Sequence, residues 1–431
     1  MLKNVDRLLK DVPVPKMFLA KQKFARPYIA PEDIPQMVKE QIDKTGLGER
    51  IKPGMSIAIT AGSRGIANIA IITKAIVDYV KEKGANPFIV PAMGSHGGAN
   101  AEGQKELLSS FEITAESMGC PLKASMEVVE LGISDRGKKV YLDKYASEAD
   151  GIIVSCRVKP HNSYRYKYES GILKMMAVGL GKQAGAAQCH EDGVPNLPLN
   201  IESIAKVILQ KAPVLFAVAT IENAFDETAK IQAVAKEEIL DVEPGLLEEA
   251  KGNMPSILVG KADVLVIDEI GKNYSGSGTD PNITGTFSTD CASGGLQVQR
   301  TCMLDVSEES HGNAFGTGLS NAITRRLFNK MDFDKMYPNC ITSTVLKTAM
   351  IPVVMDSDLR AIQICIQTCC GVDKEHIRMV RIKNSLHIGE IMLSEAYYDE
   401  VKQREDMEIL TAPFELKFDE EGTLSREQWN W

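Results

Sequence analysis

The sequence predicts an α/β protein of two domains. From residue 55 onward, short apolar segments typical of strands alternate with amphipathic segments typical of helices, which is the pattern of parallel βαβ units. The chain has 431 residues, which is too long for one ordinary domain. We therefore predict an N-terminal domain over residues 1–253, with a parallel or mixed sheet and flanking helices. A smaller α/β domain follows over 254–431, and we expect the active site in the cleft between the two, where domain closure would cover a ligand.

The individual elements follow from apolar periodicity and from turn residues. In the N-terminal domain, strands are predicted at 55–60, 87–92, 126–131, 151–156, 214–221 and 230–234, with the last two favoured as an antiparallel pair. Helices are predicted there at 31–44, 66–83, 100–111, 142–149, 201–211 and 237–251. In the second domain, strands are predicted at 262–267, 297–304, 378–383 and 407–410, and helices at 320–328, 357–370 and 394–403.

Composition excludes several classes of protein. A net charge of -9 argues against a general nucleic-acid binder. The chain lacks an apolar run of the roughly 20 residues that a membrane span needs, and its start lacks a signal-peptide core. Its nine cysteines form no paired C-x-x-C spacing, so a reducing, cytoplasmic location is the expectation.

Three polar loops follow predicted strands. The first, AGSRG, carries Ser63 and Arg64; the second, MGSHGG, carries His96; the third, KPHN, carries His161. Parallel sheets bind ligands beyond the carboxyl ends of their strands. We therefore expect these side chains on one edge of one sheet, where two histidines suit acid–base work.

The least ordinary stretch is residues 157–193. It carries His161, Lys174 and His190 in order, with Lys174 between two apolar pairs and a glycine-rich segment at 179–185. A lysine in such a run either reaches water along its own stem or is held in an apolar pocket for chemistry.

This ordered set resembles the nickel-pincer-nucleotide-dependent lactate racemase family, in particular through SGILK ending at Lys174 and His190 sixteen residues later. The resemblance implies that Lys174 joins covalently to the cofactor and that His190 is the nickel ligand. It also implies that His96 and His161 are the catalytic bases. Arg64 would bind the substrate carboxylate or polarise the forming carbonyl.

The resemblance extends to weaker assignments and shows departures. Ser63 matches a cofactor-binding loop, and Lys182 is assigned to the cofactor phosphate. Ala61 stands where the family has an acidic residue. The loop KNYSGSGTDPN lacks the family's Gln-x-x-Lys, so we assign Lys272 and Asn273 to substrate contact and expect a sugar acid or another polar 2-hydroxy acid rather than lactate.

Other functions stay open. His161, His190 and Cys189 suit a zinc-type lyase or hydrolase, and Lys174 suits a Schiff-base enzyme. A non-catalytic protein that binds hydroxy acids is a third alternative. Expected partners are the small-molecule substrate and the enzymes that make the cofactor. We expect binding to neither nucleic acid nor membrane. The sequence is compatible with a homo-oligomer.

Overall fold

The protein is described here by a computed structural model covering residues 3–63 and 65–429, without the side chains of Lys3 and Thr342. The strands are β1 (Met17–Gln22), β2 (Ser56–Ala61), β3 (Asn86–Pro91), β4 (Val128–Ile133), β5 (Lys139–Asp143), β6 (Gly151–Arg157), β7 (Val214–Glu222), β8 (Thr228–Ala235), β9 (Lys261–Ile267), β10 (Gln297–Met303), β11 (Ala322–Thr324), β12 (Val353–Met355), β13 (Met379–Ile382), β14 (Glu390–Ser394) and β15 (Met407–Ile409).

The α-helices are α1 (Lys3–Leu9), α2 (Ile34–Lys44), α3 (Ile69–Glu82), α4 (Ala101–Ser109), α5 (Ala115–Met118), α6 (Lys144–Ser147), α7 (Ile172–Lys174), α8 (Lys182–His190), α9 (Leu197–Lys211), α10 (Ile239–Asn253), α11 (Pro281–Thr284), α12 (Arg325–Asn329), α13 (Phe333–Ser343), α14 (Asp358–Thr368) and α15 (Tyr398–Lys402). A π-helical turn, Met175–Leu180, separates α7 from α8. In the described ranges, we find no helix with the length and apolar character of a membrane span.

The chain divides into two compact units. One is Ala25–Met254, and the other joins Pro255–Trp431 to the residues up to Phe24. The N-terminal domain predicted over 1–253 includes residues 3–24. They belong instead to the second unit, because β1 lies between β14 and β15 and forms antiparallel ladders with both.

The sheet of unit 25–254 carries the predicted loops. Its order is β3-β2-β6-β7-β8. Neighbours are parallel from β3 to β7, and β8 is antiparallel to β7. The α/β class is confirmed, as are the parallel neighbours. In this register Ala61 pairs with Pro91, so β2 and β3 end at the same edge.

The core explains why these strands form where they do. Apolar residues of β2 and β3 are buried together with the apolar stripe of α3 in one cluster, which includes Ile57, Ile59, Ile76, Val80 and Ile89. Buried strands of parallel sheets read as continuous apolar runs because helices cover their faces.

Two predictions for this unit need correction. The strand predicted at 126–131 is present as β4, but it lies outside the parallel sheet and, among the described strands, pairs only with β5 in a separate antiparallel hairpin. The helix predicted at 142–149 is the end of β5 followed by a single helical turn, α6. Alternation in the segment KVYLD, with Val140 and Leu142 buried, favours a strand there.

The second unit holds an eight-stranded sheet of order β12-β11-β10-β9-β13-β14-β1-β15. Strands β9 to β13 are mutually parallel where they pair, so their carboxyl ends share one edge. The helix predicted at 320–328 is instead β11 followed by α12. At the core, Arg381 and Asp268 form a buried ion pair of 2.7 Å, and Trp429 Nε1 donates to the same carboxylate.

Candidate active site

The loops after β2 and β3 meet through Ser63 and His96. The Ser63 hydroxyl contacts Nδ1 of the exposed His96 ring. The buried Gln104 donates to the carbonyls of Gly94 and His96, at 3.1 and 3.2 Å, and so fixes the shape of the His96 loop. Arg64, the third predicted residue of this edge, lies outside the described residues.

His161 is half-buried in the loop after β6. Its Nδ1 accepts the backbone N–H of Ser163 at 3.1 Å, and its ring stacks on Tyr164 at 4.2 Å between centroids. Burial lowers the pKa of His161 well below its usual range, and the neighbouring Lys174 and His190 lower it further. His161 is therefore neutral, and because Nδ1 is an acceptor, the ring proton is on Nε2.

A buried glutamate holds this loop. Oε2 of Glu169 accepts the backbone N–H of His161 at 2.7 Å. The same side chain pairs with Arg165 and, at 3.1 Å, with Lys251. The hydroxyl of Tyr164 donates to the Glu169 carbonyl at 3.0 Å. Main chain and ring of His161 are thus both fixed before any ligand binds.

Lys174 lies where α7 passes into the π-helical turn. This turn packs on the loops after β2 and β3: a Cβ on Gly62 would come within 3.1 Å of the Met175 methyl, and the N–H of Gly94 donates to the Gly179 carbonyl at 3.2 Å. π-Helical turns are rare and often occur at functional sites. The half-buried Lys174 is therefore placed at the predicted sheet edge.

His190 ends α8 with a defined tautomer. Its Nδ1 lies 2.7 Å from the Ala186 carbonyl, which only accepts, so Nδ1 carries the proton and Nε2 has its lone pair. Burial lowers the pKa of His190, and Lys174 adds to the effect although the bond to Ala186 opposes it. A neutral imidazole that donates through one nitrogen to a carbonyl is the usual form of a histidine metal ligand.

Lys174, His161 and His190 form one cluster of side chains. Lys174 acts electrostatically on both His161 and His190, and His190 acts on His161. Strand β2 separates β3 from β6, so the His96 and His161 loops begin two strand spacings apart, roughly 10 Å.

Part of this unit is similar to a known protein family. A model described as the lactate racemase N-terminal domain matches residues 12–196. This part of the chain is therefore similar to the N-terminal domain of lactate racemases. The matched range contains Ser63, His96, His161, Lys174 and His190.

Seven chains of solved structures match this protein. The lactate racemase apoprotein from Thermoanaerobacterium thermosaccharolyticum matches with a TM-score of 0.48 and 16% sequence identity, over 78% of this chain and 83% of that chain. Among curated proteins, no match was found.

Within the range that matches the lactate racemase model, Lys182 does not support the predicted phosphate contact. Its side chain is fully buried, forms an ion pair of 3.0 Å with the equally buried Asp143, and donates to the Pro91 carbonyl at 2.5 Å. Burial lowers its pKa, and Asp143 opposes that effect. Through the Pro91 carbonyl, Lys182 instead connects the start of α8 to the end of β3.

In the second unit, Lys272 and Asn273 follow β9, as predicted, and build their own loop. The Lys272 ammonium donates to the Gly276 carbonyl at 2.8 Å and lies 4.2 Å from the centre of the Phe315 ring. The Asn273 carbonyl oxygen accepts from Ser307 at 2.7 Å. Their contact with substrate stays a prediction.

The zinc-type alternative lacks the donor set it requires. Within residues 3–63 and 65–429, no three His, Cys, Asp or Glu side chains are grouped to hold a metal ion. Cys189 is buried, and burial raises the pKa of its thiol to about 12. In the metal-free protein the thiol is therefore protonated, and a metal would have to displace that proton.

Sequence reasoning missed two buried glutamates near the site, Glu169 and Glu243. Glu243 had a readable signal, because in α10 it falls on the same face as Ile239, Leu246 and Leu247, all of them buried. A charged residue on an apolar helix stripe indicates a buried carboxyl group. Glu169 lies in an irregular loop, where periodicity gives no such signal.

Proposed function

We propose that this protein is a racemase or epimerase that inverts C2 of a 2-hydroxy acid, using a nickel pincer nucleotide attached at Lys174. The observation that carries the proposal is His190, which presents a neutral Nε2 lone pair in the same cluster as Lys174 and His161. The match of residues 12–196 to the lactate racemase N-terminal domain supports the reaction class.

The residues present fit such a cofactor. Nε2 of His190 is a suitable nickel ligand, since imidazole nitrogens suit square-planar nickel. Lys174 supplies an amine for covalent attachment, as the family resemblance implies. Ser63, also expected at the cofactor, lies at the same edge through its contact with His96.

Inversion of C2 requires the loss of two hydrogens from the substrate and their return. When bound, the cofactor supplies an acceptor that takes the C2 hydrogen as hydride and returns it to either face. The protein's own histidines move the hydroxyl proton: one takes it as C2 becomes a planar keto carbon, and one returns it as the alcohol re-forms.

The two histidines start from different states. His161 holds a proton on Nε2 and is set to donate a hydrogen bond to the hydroxyl or carbonyl oxygen of a ligand. The orientation of His96 depends on Ser63, whose hydroxyl accepts from or donates to Nδ1. We propose that Arg64, which follows Ser63 in the sequence, binds the carboxylate through its planar fork.

The substrate we favour is more polar than lactate. The loop after β9 contains Lys272 and Asn273 and is otherwise rich in Ser, Gly, Thr and Asp. Such a loop offers hydroxyl and amide groups to a sugar acid, which has additional hydroxyls to pair. We further propose that the enzymes that make the cofactor are the protein's partners.

The test is to express the protein with the cofactor pathway and incubate it with each enantiomer or epimer of lactate, malate and sugar acids deuterated at C2. We expect inversion, fastest on the sugar acids, with deuterium retained because hydride moves internally. The exposed His376→Gln variant serves as control. Complete exchange of C2 with solvent, or no inversion by protein that carries the Lys174 adduct, would refute the proposal.

A further inference from the structure

We propose that Glu243 is a positioning residue for Lys174 and acts as a neutral carboxylic acid. This inference rests on the proposed function for its consequence, since the role of Lys174 is part of that proposal. The contacts of Glu243 stand independently of it.

Glu243 caps the helical run that carries Lys174. Its Oε2 accepts the backbone N–H of Leu173 at 3.1 Å, and the carboxyl also interacts with the N–H of Ile172. These amides open α7, and the preceding Gly171 has no side chain to cap them. A helix start leaves its first amides without intrahelical partners, so a carboxyl group from α10 supplies what the local sequence lacks.

Close packing fixes this contact. A Cβ on Gly171 would lie only 2.3 Å from Oε1 of Glu243, so the approach requires glycine at that position. Glu243 is only 1% exposed, and within the described chain Oε1 has no hydrogen-bond partner. An ionised carboxylate so enclosed is costly. Burial accordingly raises the pKa of Glu243 to about 8, although its backbone hydrogen bonds oppose the shift.

Helix α10 also holds the His161 loop. Pro244 lies inside the helix and lacks an N–H, so the Leu240 carbonyl has no partner four residues on. The Tyr168 hydroxyl donates a hydrogen bond to that carbonyl at 2.7 Å. Further along α10, Lys251 pairs with Glu169, the glutamate that accepts the His161 N–H.

One helix therefore positions both halves of the site. Its contacts with Tyr168 and Glu169 fix the loop of His161, while Glu243 fixes the turn of Lys174. Truncation of Glu243 alone is expected to release Lys174 and leave His161 in place.

The titratable neighbours of Glu243 are acids. Cys156 from β6 and Tyr164 and Tyr168 from the His161 loop all interact with it, and Asp241 lies on the same helix. Burial raises the pKa of Cys156, Tyr164 and Tyr168, so these three stay uncharged near neutral pH. Ionisation of Glu243 would place a negative charge in surroundings that do not compensate for it.

The test compares the full-length wild-type apoprotein with Glu243→Gln, Glu243→Leu and the control Glu249→Gln. Glutamine keeps an uncharged acceptor for the Leu173 N–H, whereas leucine keeps bulk and removes the acceptor. Glu249 is exposed on the same helix and pairs with Lys230. Folding is checked by circular dichroism and thermal unfolding.

The first measurement is hydrogen exchange at the amides of Ile172 and Leu173. We expect about tenfold faster exchange in Glu243→Leu and wild-type protection in the other two variants, because a lost hydrogen bond of ~1.4 kcal/mol is a factor of ten. If Glu243→Leu does not fold, Gly171→Ala is used instead, because its methyl group would displace the Glu243 carboxyl. Position 171 has an extended backbone, with φ -177°, which alanine can adopt. Unchanged protection in a folded variant overturns the proposal.

The second measurement is an infrared difference spectrum between wild type and Glu243→Gln. A protonated carboxyl stretch is expected at neutral pH and should vanish about two units above the pKa of about 8. The absence of that band at neutral pH overturns the neutral-acid role.

The third measurement is the mass of the Lys174 adduct from a host that makes the cofactor. We expect the fraction modified to fall several-fold in Glu243→Leu and to be largely rescued in Glu243→Gln. If the fraction of Lys174 that carries the adduct is the same in Glu243→Leu and Glu243→Gln, the positioning role is overturned. Wild-type protein that never acquires the adduct contradicts the proposed function instead, and exchange and infrared data then decide the capping and the protonation of Glu243.

Discussion

The backbone N–H of His161 donates to the buried Oε2 of Glu169 over 2.7 Å. Because the other oxygen of Glu169 pairs with Lys251 at 3.1 Å, a residue of α10 acts on His161 through one carboxylate. Helix α10 is therefore part of the site although it contributes no residue predicted to contact a ligand.

Removal of the Glu169 carboxylate should destabilise the fold. In Glu169→Ala, the His161 N–H loses its acceptor, and Arg165 and Lys251 each lose one anionic partner. We expect the free energy of unfolding of the apoprotein to fall by about 3 kcal/mol, the scale for breaking a buried ion pair. Urea denaturation measures this. Glu248→Gln, an exposed partner of the same Lys251, is the control and should change stability by less than about 1 kcal/mol.

His190 should be required for nickel binding but not for covalent attachment of the cofactor to Lys174. In His190→Gln, the imidazole ligand is lost while Lys174 and its packing remain. We expect the Lys174 adduct to persist by intact mass and the nickel content, measured by elemental analysis after dialysis, to drop at least about tenfold. The exposed His376→Gln should retain nickel. Full nickel retention by His190→Gln would remove this residue from the metal site.

The pair of Lys182 and Asp143 should prove structural. Lys182→Met leaves a buried carboxylate without its partner, so the free energy of unfolding should fall by about 3–5 kcal/mol. Lys182→Met combined with Asp143→Leu should recover much of that loss, because the buried charge is gone. If Lys182→Met is as stable as wild type but fails to bind the cofactor, the original phosphate assignment is correct.

The stability of the apoprotein should depend on pH through Glu243. Its pKa rises from 4.5 to about 8 on folding, so between these values the folded state binds a proton that the unfolded state does not. The wild type should therefore lose stability as pH rises through this window, by at most about 1.4 kcal/mol per unit, and level off above it. Glu243→Gln lacks this contribution.

Thermal or urea unfolding of both proteins across the same pH range measures the difference. We expect the stability of Glu243→Gln relative to wild type to grow as pH rises toward 8 and then to stay constant. A difference that does not change with pH would mean that Glu243 titrates normally in the folded protein.

Local patterns predicted much of the fold. Strands β2, β3 and β6 and their loops were predicted because buried parallel strands are continuous apolar runs ended by polar or glycine residues. The same reasoning failed at 142–149 and 320–328, where short strands precede single helical turns. Segments this short fit both the two-residue period of a strand and the 3.6-residue period of a helix. Pairing with neighbouring strands therefore determines which structure forms.

The sequence by itself determined the α/β class, the edge that gathers Ser63, His96 and His161, and the neighbouring Lys174 and His190. These follow from periodicity and order along the chain. Only the tertiary structure decided that β1 joins the second unit, that Lys182 is enclosed by Asp143, and that Glu243 caps the turn of Lys174. Glu243 and Leu173 are 70 residues apart, and burial and hydrogen-bond partners set at such separations come from packing that no local pattern records.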